Sequence, residues 1–219
     1  MPFLDLSFEW PVDDTGYSIV VHKPKPSKVR RATLLTGEPS APHIVRKGGP
    51  LRNTRPLEFH STLFMDFAYL DDTDDSCLRF ANSFGYLGWF LDRKAADRLG
   101  PQGEPLSFWR NQIADMRQAV DAWQASPDAF FSNRELTITR LDASLVPIGG
   151  KPTLRIRPRS LMGAIRLQFA QAVASGLDIR TCDHCGKLFE IGGAGRTRKA
   201  RFCSDRCRSD YHVAKRKVL

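Results

Sequence analysis

Four cysteines near the C-terminus constrain the fold of this 219-residue chain more than any other feature of its sequence. They form a C-x2-C pair and a C-x3-C pair, separated by seventeen residues. The four are Cys182, Cys185, Cys203 and Cys207. Paired thiolates on tight turns each supply two corners of a tetrahedron, which is the arrangement of structural zinc sites. The spacing therefore predicts one structural Zn²⁺ per chain.

Other uses of the cysteines and nearby histidines stay open on spacing alone. Two disulfides would suit an oxidising compartment, and a redox C-x-x-C would leave the second pair unexplained. His212, five residues after the last cysteine, could replace a cysteine ligand, but we expect it at the surface or on a phosphate. His184, inside the first pair, should point away from the metal. Cys77 lies in an apolar helical pattern and should be a core residue.

The residues between and after the pairs predict a small finger. Phe189 and Phe202 are expected to pack over the metal, and the glycine-rich stretch 191–195 to turn a β-hairpin. Ser204 should cap a helix that holds the last cysteine in its first turn. A knuckle, a hairpin and a ligand-bearing helix together make a treble-clef-like zinc finger over residues 178–219.

The positive charge of the chain is concentrated in this same segment. Residues 178–219 hold eleven Lys and Arg against five Asp and Glu, although the whole chain has a net charge of only +9. Localised positive charge attracts polyanions, and arginine binds phosphate through its planar fork. We therefore expect nucleic acid, DNA rather than RNA, to contact the hairpin and the helix. The expected contacts are Arg196, Arg198, Lys199, Arg201, Arg206, Arg208, His212, Lys215, Arg216 and Lys217.

Two further functional hypotheses remain beside nucleic-acid binding. The finger could be a protein-interaction module with a purely structural zinc, its charges solvated. An enzyme in the larger domain is the other, but no G-x-S-x-G, G-x-G-x-x-G or H-E-x-x-H motif occurs, so we expect no enzyme. The aspartates of residues 66–75 could hold a divalent metal, yet clustered aspartates ahead of a helix more often cap it.

Hydrophobic periodicity divides the chain into three parts. Residues 1–56 form an extended or strand-like region with a connector, as either a peripheral hairpin or an arm. Residues 57–177 form a mostly helical domain with a β-hairpin that turns at 147–150, and residues 178–219 form the finger. Within the helical domain, apolar residues at three- and four-residue spacing predict helices over about 73–85, 104–126 and 160–176. The fold class is α+β.

The location of the protein follows from what its sequence lacks. No stretch approaches the roughly 20 apolar residues that span a bilayer, and the first residues do not form a signal-peptide pattern. We expect a cytoplasmic protein without a membrane partner.

The finger resembles that of bacterial CGNR-type zinc-finger proteins. The resemblance lies in the C-x2-C pair, then Arg201-Phe202-Cys203-Ser204, then Cys207-Arg208. It implies a DNA-binding transcriptional regulator in which a mostly helical domain precedes the finger. The chain departs from the family's naming motif, since Arg208-Ser209-Asp210 stands where the family has Gly-Asn-Arg. By the same analogy the larger domain binds a small-molecule or protein effector, and a homodimer is a further expectation.

Overall fold

A computed structural model describes residues 3–4, 8–21, 41–60, 62–88, 103–126, 141–186, 188–192, 197 and 199–216. These residues form a mixture of helices and strands. Residues 22–40, which include the expected connector, and residues 127–140, ahead of the hairpin that turns at 147–150, lie outside them. In chain order the elements are β1 (Phe3–Leu4), β2 (Trp10–Asp13), β3 (Tyr17–Val21), β4 (Pro42–Arg46), β5 (Leu51–Thr54), α1 (Pro56–Phe59), α2 (Leu63–Ala68), α3 (Asp74–Phe84), β6 (Glu104–Pro105), α4 (Leu106–Ala125), β7 (Leu141–Ile148), β8 (Lys151–Pro158), α5 (Leu161–Ala174), β9 (Asp178–Thr181), β10 (Leu188–Ile191) and α6 (Asp205–Arg216).

Helices α3 and α4 form where the periodicity predicts them. Thr73 caps α3 by accepting a hydrogen bond from the backbone N–H of Ser76 at 3.3 Å, and Gly85 ends the helix with a φ of 87°. The apolar face of α4 is buried along its length, in Trp109, Ile113, Met116, Val120 and Trp123. Helix α3 is confirmed as predicted, and α4 begins two residues later than predicted because Glu104 and Pro105 pair with β4 as strand β6. No helix of the described residues is long and apolar enough to cross a membrane.

Helix α5 is buried on more sides than its sequence predicts. Ser160 caps it by accepting from the N–H of Gly163 at 3.0 Å. Leu161, Ile165, Phe169 and Val173 lie at the three- and four-residue spacing that predicts the helix, but its buried residues also include Met162, Ala164, Leu167 and Gln168. Gln168 is buried because its amide accepts from the N–H of Phe64 at 3.0 Å and donates to the carbonyl of His60 at 2.6 Å. The amide thus satisfies backbone groups that would otherwise be buried without partners.

The described N-terminal strands belong to the same core as the helices. Strand β2 pairs with β5, while β4 pairs with both β3 and β6, all antiparallel. Phe8, Val12, Tyr17 and Ile44 are buried together with the helical apolar residues. The three-part division of the chain stays a prediction, but residues on both sides of position 57 contribute to one core.

A long hairpin precedes α5. Strands β7 and β8 pair antiparallel around Gly149 and Gly150, whose φ angles of 57° and 78° suit a two-residue hairpin turn. The predicted turn at 147–150 is confirmed, since β7 ends at Ile148 and β8 begins at Lys151. Strand β1 adds to β8 in parallel.

The C-terminal segment is joined closely to this core. Only three residues separate α5 from β9, and Gly176 among them has a φ of 63°. Strands β9 and β10 pair antiparallel, with Leu188 opposite Thr181 and Ile191 opposite Asp178. The half-buried side chains of Leu177, Ile179 and Leu188 pack against the main core. The base of this hairpin is therefore fixed to the helical body.

A buried carboxylate organises the turn between β2 and β3. The carboxylate of Asp13 accepts from the N–H and hydroxyl of Thr15 at 2.9 and 2.7 Å, from Gly48 N–H at 3.0 Å and from Arg46 Nε at 3.0 Å. Burial by itself would raise the pKa of Asp13. The hydrogen bonds from Thr15, Gly48 and Arg46 outweigh burial and hold the pKa well below its usual range.

We predict that Asp13→Asn lowers the free energy of unfolding, because the amide cannot accept all of these hydrogen bonds. Since the pKa of Asp13 is lowered in the fold, its contribution is complete above about pH 4 and is lost as the pH falls further. Urea unfolding at about pH 7 and about pH 2 should show a wild-type advantage that narrows in acid.

The neighbouring Asp14 provides the control for this prediction. Its ion pair with Arg52, at 3.0 Å, is exposed, so Asp14→Asn should change the free energy of unfolding by less than about 1 kcal/mol. Equal effects of the two substitutions, or a gap between wild type and Asp13→Asn that does not change with pH, would contradict the role given to Asp13.

Candidate metal centre

The sulfur atoms of the four C-terminal cysteines meet in one cluster. All lie within 4.8 Å of one another, and the Sγ of Cys203 is 3.5 Å from that of Cys185 and 3.4 Å from that of Cys207. A zinc–sulfur bond of about 2.3 Å places two ligands of a tetrahedral site about 3.8 Å apart. All five cysteines of the chain are free thiols. The predicted cluster is confirmed as one that could hold a single metal ion.

Three local structures bring these sulfurs together. The first cysteine pair lies in the loop of the β9–β10 hairpin, where Gly186 donates its N–H to the carbonyl of Cys182 at 3.0 Å with a φ of 71°. The N–H of Asp183 donates to the carbonyl of Arg201 at 3.0 Å, which joins this loop to the segment before the second pair. The hydroxyl of Ser204 accepts from Cys207 N–H at 3.2 Å, so the predicted cap of the ligand-bearing helix is confirmed.

A small apolar cluster lies beside the sulfurs. Cys182, Phe189 and Ile191 are buried, and Phe202 is half-buried against them. The predicted packing of Phe189 and Phe202 near the cysteines is confirmed. Because three buried side chains are a small core, the cluster of sulfurs must supply much of the cohesion of the finger.

The structure shows a hairpin that the sequence analysis does not predict. Strands β9 and β10 fold around the first cysteine pair, whereas the predicted turn at 191–195 lies mostly outside the described residues. The β9–β10 pairing places Ile179 and Leu188 on one face, where they pack against the main core. The described residues 199–204 form no strand, so Lys199 and Arg201 lie on an irregular return segment. Residues 193–196 lie outside the described part of the chain.

The cysteines differ in how readily they lose a proton. Burial alone would raise the pKa of Cys182, but the backbone N–H groups of Cys185, Cys203 and His184 outweigh it and lower that pKa to about 6. For Cys203, burial and the neighbouring thiols, of which Cys207 contributes most, raise the pKa to about 12. Four sulfurs this close cannot all ionise without a cation between them. Cysteine binds metals as the thiolate, so the donor set fits a metal ion.

The alternative ligands considered from the sequence do not join this group. Among the described residues, the four cysteines alone form a cluster that could hold a metal ion. The ring of His212 packs near Phe202, at 6.1 Å between centroids, and His184 is exposed. Of the aspartates of residues 66–75, Asp74 pairs with Arg110 and lies in the first turn of α3. Cys77 is fully buried in the main core, as predicted.

Seven of the ten predicted nucleic-acid contacts lie in the described part of the chain, and all seven are exposed. They are Lys199, Arg201, Arg206, Arg208, His212, Lys215 and Arg216. Arg196, Arg198 and Lys217 lie outside the described residues. The cysteine cluster holds the return segment and α6 next to each other, so these cations belong to one region of the surface.

Three of the arginines form exposed ion pairs within the finger. Arg201 Nε donates to the carboxylate of Asp183 at 2.6 Å. Arg208 lies 3.1 Å from Asp205, and Arg206 lies 3.7 Å from Asp210. Exposed pairs such as these contribute little to stability and exchange readily. The arginines can therefore take a stronger anionic partner at little cost.

Sequence reasoning missed the aromatic support of Arg201. Its guanidinium lies 5.8 Å from the ring centroid of Phe202 and 6.0 Å from that of Tyr211. The two rings pack at 5.1 Å. Tyr211 follows Cys207 by four residues, so the two share one face of α6, and that helical spacing was the available signal.

We predict that the purified protein contains one metal ion per chain by elemental analysis. Cys203→Ser should remove it, because three sulfurs no longer complete the coordination shell. Cys77→Ser, in the main core, should leave the metal content unchanged. A folded wild-type protein without metal, or equal loss of metal in the two variants, would contradict the assignment of the site.

Comparison with protein-family models, with curated proteins and with solved structures finds no match for this chain. The cysteine cluster and the basic surface around it are the features of the chain that indicate a function.

Proposed function

We propose that this protein is a zinc-finger nucleic-acid-binding protein with DNA as its partner. Four sulfur donors at tetrahedral spacing suit zinc better than metals that prefer oxygen. Four cysteines also leave no open position for a substrate, so the zinc is structural and no catalytic activity is assigned. The knuckle, the β9–β10 hairpin and α6 support a treble-clef-like arrangement.

Helix α6 is the main support for this proposal, because almost all of its residues are exposed to solvent. None of its twelve residues is buried, and only Cys207 and Tyr211 are half-buried. A helix of this length is marginal without tertiary packing, so the metal ligand and the aromatic contact must hold it in place. A helix about 10–12 Å across fits the major groove of B-DNA, which is about 12 Å wide.

The charges on α6 favour a polyanion as the partner. The helix has four cations and two carboxylates, and Lys215 and Arg216 lie in its last turn. Arg206 is 90% exposed and Arg208 is 62% exposed. Phosphates can replace the aspartates as partners of these arginines, because the existing ion pairs are solvated. A role in transcription regulation rests on the resemblance of the finger to the CGNR type.

We predict that Arg206→Gln, Arg208→Gln and Arg216→Gln together weaken DNA binding strongly. If each arginine contacts one phosphate, the dependence of log K on log salt should fall by about 3. A mobility-shift assay at several salt concentrations measures both the affinity and this slope.

A matched control removes the same charge outside the finger. Arg52, Arg79 and Arg159 are exposed arginines of the main body, each in an ion pair with an aspartate. Their triple replacement by Gln should change DNA binding little. Failure of the wild-type protein to bind DNA at low salt would refute the proposal. Capture of a protein partner that survives loss of the three finger arginines would favour the protein-interaction alternative.

A further inference from the structure

A cavity opens on the finger between the return segment and the first turn of α6. Its volume is about 640 Å³, within the range of about 300–1,000 Å³ that is typical of ligand sites. Three cations, two hydroxyl groups and one carboxylate contribute to its lining; they belong to Lys199, Arg201, Arg208, Thr197, Ser204 and Asp205. Positive side chains and hydroxyl donors around one space match the chemistry of a phosphate group.

The cations around the cavity are held to different degrees. Arg201 is oriented from two sides, since it is bonded to Asp183 and its guanidinium lies 5.8 Å from the ring centroid of Phe202. Within the described residues, the guanidinium of Arg208 has one ion pair, with Asp205, whose side chain is 92% exposed. Lys199 is exposed and has no ion-pair partner within the described part of the chain. The cavity therefore combines one preset guanidinium with two cations that can move toward an anion.

The carboxylate of Asp205 is the one lining group that opposes an anion. It lies 3.1 Å from the guanidinium of Arg208, so it partly neutralises that cation. An entering phosphate would compete with Asp205 for Arg208 and would be repelled by the carboxylate. Removal of this negative charge should consequently strengthen binding in the cavity.

We propose that this cavity binds one phosphate of the nucleic-acid backbone. The proposal rests on the proposed function and adds the position at which a strand is anchored to the finger. A backbone phosphate seated between Lys199 and Arg208 lies beside the exposed surface of α6, where the neighbouring nucleotides meet the remaining cations. A free phosphate compound shares the same chemistry, and the experiment separates the two sources.

The test measures binding of a fluorescently labelled DNA duplex by anisotropy with four single variants of the full chain. Lys199→Gln should weaken binding by about tenfold and lower the salt slope by about 1. Lys215→Gln, which removes the same charge at the far end of α6, should have a smaller effect. Asp205→Asn should tighten binding by about threefold or more, and Asp210→Asn, which frees Arg206 outside the cavity, should tighten it less.

Each outcome decides one question. Failure of the wild-type protein to bind DNA at low salt overturns the proposed function itself. If the wild type binds but the two lysine variants are equal and the two aspartate variants are equal, the cavity is not a phosphate site, although the proposed function stands.

A calorimetric titration with inorganic phosphate tests the other source, a free phosphate compound. Phosphate binding that is lost in Lys199→Gln, together with unchanged DNA binding by that variant, would overturn the assignment to a nucleic-acid strand. Equal metal content in all variants verifies that the finger is intact.

Discussion

The convergence of four sulfur atoms determines the position of every functional group in the finger. Among the described residues of the finger, Cys182, Phe189 and Ile191 alone are buried, and α6 contributes no buried residue. Apolar burial on this scale cannot offset the conformational entropy of ordering some forty residues. The cysteine cluster joins the hairpin loop, the return segment and the helix, so the geometry of the basic surface follows from sulfur coordination.

Local signals in the sequence were sufficient for helices α3, α4, α5 and α6 and for the cysteine cluster. Thr73, Ser160 and Ser204 cap their helices through short-range hydrogen bonds, and the spacing of the cysteines defines their cluster. Long-range pairing was not accessible in the same way. Strand β2 pairs with β5 about forty residues away, and Gln168 is buried because it bonds backbone groups more than a hundred residues distant. The β9–β10 hairpin was not predicted, because glycines indicate a turn but do not specify which strands pair across it.

The carboxylates of the finger reduce its positive charge. Asp183, Asp205 and Asp210 each pair with an arginine, so the basic surface is less positive than its count of cations suggests. Such pairing also orients guanidinium groups before a partner arrives. Under the proposed function, this surface exchanges its internal ion pairs for pairs with phosphate, and its binding therefore depends on salt.

The short connection between α5 and β9 has a mechanical consequence. Three residues join them, and Leu177, Ile179 and Leu188 seat the base of the hairpin on the main core. The finger is therefore packed against the helical body and is not connected to it by a free linker. If the finger binds a long polymer as proposed, the body covers a stretch of it on one side of the finger, so the shape of the whole protein sets the minimum spacing between neighbouring copies.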